Sequence, residues 1–362
     1  MRTLFYHTAS AWSGSSRAFA TAARGLAARG EPVTVVCEAD TPAEQAFARE
    51  GLDVVPLPIS HAVTRDSLRL RTVLKERFIE VVFLHTEREH FVASAAMRLA
   101  ERGAVIRRVP AGAAPAGGRA GRFAGRMATA RFLFSTAEDR ARANLANRAF
   151  VAPLGVDVTR ADDTRAAARE SLGATDDTQL MICVADRASR MRITTTLRTV
   201  ALLAERHPEL RLALAGSGCD DDDTHMHASA LGITPLVRFL GERDDLPSLV
   251  AAADVGWVAA EGDDGAFACL DFMAARVPVI AERSALLSHY VPDGIAGVLL
   301  PPADPSDTAA AVAAFLADHE RRSAMGNAGR TRALRDFGEA AMIDGFQSAA
   351  TAAGDRSLWT AR

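Results

Sequence analysis

The sequence predicts an α/β protein of two domains, each built on a doubly wound parallel sheet. Short apolar runs of strand length alternate with amphipathic helical stretches along most of the chain. The alternation is interrupted once, where Pro153 and Gly155 break the pattern. The length of 362 residues also exceeds what one ordinary core accommodates. We therefore expect an N-terminal domain at residues 1–152 and a second domain at residues 153–335.

The first half begins with a strand, a helix and a second strand. TLFYHTA is typical of a buried strand, SAWSGSSR of a loop, and the Ala-rich stretch to Arg29 of a helix before the strand PVTVVCEA. Because parallel strands need crossover helices, a doubly wound sheet follows. Residues 111–126 are rich in Gly and Ala and favour a mobile loop or frayed helix. Further strands are predicted at LDVVPLP, VVFLHT, AVIRRVP and RFLFST, with helices at about residues 65–77, 90–102 and 137–146.

The second half repeats the alternation. Its loops are predicted at RASRMR, EGDDGA and ALLSHYVPDG, and two helices are expected at the C-terminal end. Its strands are predicted at QLMICVAD, LRLALAG, VRFLG, VGWVAA, VPVIAE and GVLLPP, with helices at about residues 194–206, 223–231 and 305–318 and at LPSLVAAA and FACLDFMAAR.

The composition is that of a soluble globular protein, with 49% hydrophobic and 24% charged residues. No apolar run is long enough to span a membrane, and the N-terminus turns polar too early for a signal-peptide core. We therefore expect a cytoplasmic protein. The four cysteines have no metal-site spacing and are expected to be buried free thiols.

Basic residues concentrate in the first half of the chain, although the net charge is −3. This cluster is either a solvated basic face or a surface for an anionic partner, such as a lipid-linked phosphate or the inner membrane face. Nucleic acid is not expected, because the cluster lacks interleaved aromatic residues and the whole chain is acidic. The basic residues of the cluster are Arg98, Arg102, Arg107, Arg108, Arg119, Arg122, Arg126 and Arg131.

A series of motifs in the second half resembles the retaining family 4 glycosyltransferases. The resemblance covers about residues 150–305 and implies the GT-B fold, in which two Rossmann-like domains face each other across a cleft. It also implies that a helix at residues 336–362 packs back on the first domain. The motifs are, in order, PLGVD, the pair Arg187 and Arg192, LALAGSG, VRFLG, DLPSLVAAADV, DDGAFACLDFMAARVPVIA and PDGIAGVLLPPADP.

Arg187 and Arg192 are the candidates for the donor diphosphate. A pyrophosphate needs cations or backbone N–H groups, and these arginines lie in a loop between a strand and a helix. The resemblance implies that they stabilise the leaving diphosphate, although Arg192 replaces the lysine that is usual in the family. The alternative is that both are surface arginines of an Arg-rich protein.

The segment from Asp263 to Asp271 stands where the family has two glutamates separated by seven residues. The resemblance implies that Asp263 holds the donor sugar and Asp271 the ribose. Asp264 adds a negative charge close to the expected diphosphate. The alternative is that acids at the start of a helix are stabilised by its dipole without any ligand. The resemblance further implies donor contacts from Gly216, Gly241, Gly265, Ala266 and Phe267.

The acceptor is expected in the first domain. Gly14 and Arg17 lie in the loop SGSSR, where Arg17 could hold a phosphate or carboxylate. His85 follows the strand VVFLH at the carboxyl edge where open α/β sheets bind ligands, and it is a catalytic candidate. Arg108 stands after the next strand, where many relatives place a histidine.

These residues together predict a retaining glycosyltransferase. It would move a sugar from a nucleoside-diphosphate donor to a hydroxyl acceptor on a glycan, a lipid-linked compound or a small molecule, with no metal in the chemical step. The altered donor motifs motivate an alternative, a catalytically silent protein of the same fold that senses nucleotide sugars or supports an active partner subunit.

Overall fold

The computed structural model describes residues 1–60, 62–101, 103–111, 113, 130–145, 148–159, 165–243, 245–301 and 304–354. Most of the Gly- and Ala-rich segment predicted as a mobile loop lies outside these residues. The chain divides into two compact units. The first unit contains residues 1–155 and 339–362, and the second contains residues 156–338.

The first unit is built on a seven-stranded parallel sheet with the order β3-β2-β1-β4-β5-β6-β7. Apolar residues fill the interior strands because helices cover both faces of such a sheet. The order reverses between β1 and β4, which is the switch point where ligands bind in open sheets. The strands are β1 (Thr3–His7), β2 (Val33–Glu38), β3 (Val54–Leu57), β4 (Val81–Leu84), β5 (Ala104–Arg108), β6 (Ala130–Phe134) and β7 (Ala149–Val151).

Four helices of the first unit begin at a serine or threonine cap. The side chain of Ser13 accepts a hydrogen bond from the Ser16 N–H at the start of the first helix, and Thr86 accepts one from the Glu89 N–H at the start of the fourth. The described helices are α1 (Gly14–Ala28), α2 (Pro42–Arg49), α3 (Val63–Glu76), α4 (Glu87–Ala100), α5 (Ala137–Ala143) and, from the end of the chain, α14 (Glu339–Gly354).

The second unit is built on a six-stranded parallel sheet with the order β10-β9-β8-β11-β12-β13. Its switch point lies between β8 and β11. The strands are β8 (Gln179–Val184), β9 (Leu210–Ala215), β10 (Val237–Gly241), β11 (Val255–Val258), β12 (Val279–Glu282) and β13 (Gly297–Leu300).

Helices cover the sheet of the second unit and bury its core. Asp221 caps one of them by accepting a hydrogen bond from the Thr224 N–H at 3.0 Å. The described helices are α6 (Arg165–Ser171), α7 (Arg190–Ala204), α8 (Asp222–Ala230), α9 (Leu246–Leu249), α10 (Gly262–Ala274), α11 (Ala285–Tyr290), α12 (Pro305–Ala317) and α13 (His319–Asp336).

Four loop predictions differ from these bounds. The segment SAWSGSSR is predicted as a loop, but α1 already begins at Gly14, because Ser13 caps it. The segment RASRMR is predicted as a loop, but a 3₁₀ turn covers residues 187–189 and α7 begins at Arg190, so Arg192 lies in a helix. The segment EGDDGA is predicted as a loop, but α10 already begins at Gly262, because Asp263 and Asp264 in the first turn are stabilised by the helix dipole. The segment ALLSHYVPDG is also predicted as a loop, but it begins with α11, which Ser284 caps.

Two further properties follow from the fold. The four cysteines are buried free thiols, as predicted, and burial raises the pKa of Cys183 to about 12. Over the described ranges, the helices are too short or too polar to cross a lipid bilayer.

Candidate functional site

The switch point of the second unit gathers three of the predicted donor residues at one edge of the sheet. Arg187 and Arg192 follow β8, while Asp263 follows β11, the strand paired to β8 in parallel. Because parallel strands end at the same edge, the loop after β8 and the first turn of α10 lie side by side. This edge is where an open α/β sheet binds its ligand.

Asp186 ties these two segments together. One carboxylate oxygen accepts a hydrogen bond from the Ser189 N–H at 2.8 Å and so caps the 3₁₀ turn of residues 187–189. The other accepts a hydrogen bond from the Glu261 N–H at 2.8 Å, at the start of α10. The positions of Arg187 and of α10 are therefore coupled through one side chain. Sequence reasoning assigned Asp186 no role, because a contact between residues 75 apart leaves no local pattern.

Arg192 is held between two carboxylates. It donates a hydrogen bond to Glu261, and its other terminal nitrogen lies 3.6 Å from the carboxylate of Glu282, at the end of β12. Partial burial opposes the charge, but the two glutamates outweigh this effect and raise the pKa of Arg192. The guanidinium remains positive at any physiological pH and already has internal counter-ions.

Arg187 is exposed at the same edge. Its backbone N–H donates to the Ser217 hydroxyl at 3.1 Å in the loop after β9. A side-chain Cβ at Gly218 would lie 3.3 Å from the Arg187 Cα, so this glycine allows the two loops to approach closely. The side chain of Arg187 is therefore presented on a loop that is fixed from a neighbouring strand.

Gly216 and Gly241, two predicted donor contacts, meet directly. The Gly216 N–H donates to the Gly241 carbonyl at 2.7 Å. Gly216 has a φ of +115°, and a Cβ there would lie 1.9 Å from the Ala185 carbonyl oxygen. Only glycine fits this position, which brings the ends of β8, β9 and β10 together.

The remaining predicted donor residues lie on α10. Asp263 and Asp271 are 4% and 6% exposed, and eight helical residues place them about 12 Å apart along the axis. Gly265 lies so close to the Ala260 carbonyl that a Cβ would approach it to 2.4 Å. Ala266 and Phe267 are buried in the unit. Donor contacts from these residues stay a prediction.

The switch point of the first unit is organised by a buried carboxylate that sequence reasoning missed. Glu89, at the start of α4, accepts hydrogen bonds from the backbone N–H groups of Thr8 at 2.6 Å, His85 at 2.9 Å and Thr86 at 2.8 Å. It thereby joins the ends of β1 and β4. The capping pattern of Thr86 with Glu89 is visible in the sequence, but its link to Thr8 is not.

His85 is 4% exposed and contacts the first turn of α1. Its Nε2 lies 2.9 Å from the Ser15 carbonyl oxygen, and since a carbonyl only accepts, this nitrogen carries the proton. The ring stacks on Phe19 at a centroid distance of 3.7 Å. His85 therefore helps to position the first turn of α1, where Gly14 and Arg17 lie instead of in the predicted loop. Its predicted role in catalysis stays a prediction.

A second histidine holds the same turn. His7, at the end of β1, lies with its Nε2 2.8 Å from the Ser16 hydroxyl. Burial lowers the pKa of His7, and the charge of Glu89 opposes this shift only in part. A neutral imidazole is thus favoured. Sequence reasoning missed His7, although its place at a strand end of the switch point was the available signal.

The arginine cluster predicted as a basic face is largely internal where the structure describes it. Arg107, Arg108 and Arg131 are buried, at 8%, 1% and 4% exposure. Arg107 donates to the His85 carbonyl at 3.0 Å, and Arg108 donates to the Ser135 hydroxyl at 3.1 Å. For these three arginines the prediction of a surface position is wrong, because their side chains are buried within the first unit. The described residues do not include Arg102, Arg119, Arg122 and Arg126.

The second unit is similar in sequence to known proteins. Residues 164–332 match the family model described as glycosyl transferases group 1. The chain is 33% identical over 148 residues to a D-inositol 3-phosphate glycosyltransferase of Corynebacterium kroppenstedtii, covering 38% of this chain and 33% of the relative. It is 32% identical over 221 residues to D-inositol 3-phosphate glycosyltransferase 2 of Catenulispora acidiphila, covering 57% and 49%. The chain thus spans between a third and half of the length of these relatives.

The comparison with solved structures extends to both units. A crystal structure of HepE from Anabaena in complex with UDP-glucose aligns with 96% of this chain and 98% of its own, with a TM-score of 0.78 at 16% identity. This likeness confirms the predicted fold class of two parallel-sheet α/β domains. Residues 164–332, a little less than half of the chain, are therefore similar to the group 1 glycosyl transferases.

Proposed function

We propose that the protein is a retaining glycosyltransferase that moves a sugar from a nucleoside-diphosphate donor to a hydroxyl acceptor. The observation that carries this proposal is Arg192 in the first turn of α7, at the switch point of the second sheet, where Asp186 joins the preceding 3₁₀ turn to the start of α10. A fixed guanidinium beside a helix N-terminus suits a diphosphate.

Each predicted donor residue has a role in this proposal. Arg187 and Arg192 bind the diphosphate and stabilise the negative charge that develops on it as the glycosidic bond breaks. Asp263 binds hydroxyls of the sugar, and Asp271 binds the ribose. The glycines at 216, 241 and 265 let the ligand approach the backbone.

The chemistry follows a front-face displacement. The acceptor oxygen bonds to the anomeric carbon on the face that the diphosphate leaves, and the leaving phosphate oxygen takes the hydroxyl proton. Configuration at the anomeric carbon is therefore retained. No metal is required for this step, since the two arginines supply the positive charge.

The first unit supplies the acceptor site in this proposal. Gly14 and Arg17 lie at the N-terminus of α1, whose N–H groups and dipole favour an anion. The relatives named for D-inositol 3-phosphate suggest an acceptor that carries both a phosphate and free hydroxyl groups. We therefore propose a phosphorylated polyol as the acceptor class.

The first test is removal of the proposed diphosphate contact. We expect Arg192→Ala to lower turnover at least about 100-fold with the fold intact, because it removes charge stabilisation of the leaving group. Donor consumption and product are measured with UDP- and GDP-sugars and D-inositol 3-phosphate, and the anomeric configuration of the product is read by NMR.

Arg190→Ala is the matched control. Arg190 lies on the same helix and pairs with Asp221 and Asp223 at the surface. Its removal should change turnover less than about threefold. Equal rates for Arg192→Ala and wild type would refute the assignment of Arg192.

A second candidate function is favoured by the acids around Arg192. Glu261 and Glu282 already neutralise this arginine, and such a site could bind a nucleotide sugar without turning it over. Tight binding of a donor with neither hydrolysis nor transfer would favour this sensor over the enzyme.

A further inference from the structure

The side chain of Glu261 makes an ion pair where a capping hydrogen bond is usual. It is the N-cap residue of α10, yet its carboxylate makes no capping hydrogen bond to the helix. The carboxylate instead accepts a hydrogen bond from Arg192, a residue on another helix. N-cap carboxylates usually satisfy the free N–H groups of their own helix, so the first turn of α10 keeps its N–H groups without this cap.

The fold places Glu261 in this position. The Glu261 N–H is fixed by Asp186 at 2.8 Å, and Asp186 is fixed in turn by its bond from Ser189 at 2.8 Å. The backbone that carries the carboxylate is therefore attached to the 3₁₀ turn of residues 187–189, which leads directly into α7 and Arg192. The pairing is built into the site and is more than a chance contact between two flexible side chains.

The ion pair between Arg192 and Glu261 can dissociate at little cost. The side chain of Glu261 is 62% exposed, while that of Arg192 is 28% exposed and is also held by Glu282. An ion pair with one exposed partner contributes little to stability, because water solvates the released carboxylate. A diphosphate carries more negative charge than one carboxylate and can replace it on Arg192.

We propose that Glu261 is an internal counter-ion that lowers the affinity for the donor. It occupies the guanidinium of Arg192 in the free protein, and the donor diphosphate exchanges with it on binding. The residue thus determines affinity for the proposed reaction without contacting the reacting atoms. This inference rests on the proposed function, since it assumes that Arg192 binds the donor diphosphate.

The experiment is calorimetric titration of the full chain with UDP, GDP and inorganic pyrophosphate. We expect Glu261→Gln to bind the preferred diphosphate about 3- to 10-fold more tightly than wild type, because the competing charge is removed. Glu261→Ala should have the same effect, which excludes a new hydrogen bond from the glutamine. Circular dichroism checks that each variant is folded.

Asp223→Asn is the matched control. It removes a carboxylate of similar exposure, 59%, from the pair with Arg190 on the same helix as Arg192. Its affinity for diphosphates should equal that of wild type. A gain as large as that of Glu261→Gln would show a general effect of net charge and would overturn the inference.

The remaining outcomes separate the two proposals. Unchanged or weaker binding by both Glu261 variants, together with loss of binding in Arg192→Ala, overturns the role of Glu261 and leaves the donor site standing. Binding that appears only when Glu261 is replaced supports the inference in its strongest form. An absence of binding in wild type and in every variant overturns both proposals.

Discussion

At the scale of single residues, His90 shows how burial lowers the pKa of a histidine. It lies on α4 and is 1% exposed, and neither ring nitrogen finds a hydrogen-bond partner within the described ranges. Burial, and then the charge of Arg107, lower its pKa to about 4. The imidazole is neutral in the folded first unit and takes up a proton more readily when that unit unfolds.

His90 should therefore destabilise the first unit in acid. Its pKa is lower in the folded state than in the unfolded state, so its contribution is complete above about pH 6.5 and is lost as the pH falls toward 4. Between pH 7 and pH 5 the expected loss is about 2 kcal/mol. Urea unfolding of wild type and His90→Leu at both pH values measures this loss. The free energy of unfolding of the variant should fall by about 2 kcal/mol less than that of wild type. His319→Leu, at an exposed position, is the control; equal pH dependence of wild type and His90→Leu would contradict the assignment.

The positions of the candidate donor residues were predictable from the sequence, but their hydrogen bonds and ion pairs were not. The motifs place Arg187, Arg192 and Asp263 after adjacent strands, and the structure brings their segments to one sheet edge. The hydrogen bonds of Asp186 and the pairing of Arg192 with Glu261 were not predictable. Both depend on side-chain directions at the ends of separate strands, which no periodicity encodes.

At the scale of elements, every described strand except β7 was predicted, because buried parallel strands are continuous apolar runs between breakers. The weaker predictions concern short helices at polar segments. Helix α2 (Pro42–Arg49) received no prediction, since eight residues show little periodicity. The early start of α10 depends on capping and dipole effects, which act on single residues and are easily read as loop signals.

A substitution at Gly216 tests how tightly the ends of the strands are packed. Gly216→Ala places a Cβ against the Ala185 carbonyl at a φ of +115°, so we expect the second unit to lose roughly 3 kcal/mol or more. Gly232→Ala is the matched control, because its φ of +71° is also positive but no atom lies within 4 Å. It should cost only about 1 kcal/mol. Urea unfolding compares the two variants, and equal losses would show that the close approach is unimportant.

At the scale of the whole molecule, the first unit is assembled from both ends of the chain. Helix α14 (Glu339–Gly354) packs on α1, where a Cβ at Gly25 would lie 2.2 Å from the Ile343 side chain. Arg24 pairs with Glu339 at 3.1 Å. The ring of Phe346 lies 5.0 Å from that of Phe83 and 6.0 Å from that of Phe5. The last helix is therefore part of the N-terminal core.

Truncation of Phe346 should weaken the first unit selectively. Phe346→Ala removes a fully buried ring and leaves a cavity, which typically costs about 3–5 kcal/mol. Hydrogen exchange with mass spectrometry should show faster exchange in peptides of β1 and β4 and unchanged exchange in β8 and β11. Thr351→Ala, at an exposed position of the same helix, should change neither. Faster exchange in both units would mean that they unfold as one.

The division of the first unit between the two ends of the chain has a consequence for biosynthesis. When the ribosome has added residue 338, the second unit is complete, but the aromatic rings of Phe5 and Phe83 still lack their partner from α14. The half that is translated first can therefore finish folding only after the half that is translated second. Over that interval the nascent chain exposes the hydrophobic surface that α14 later covers, and chaperones bind surfaces of this kind.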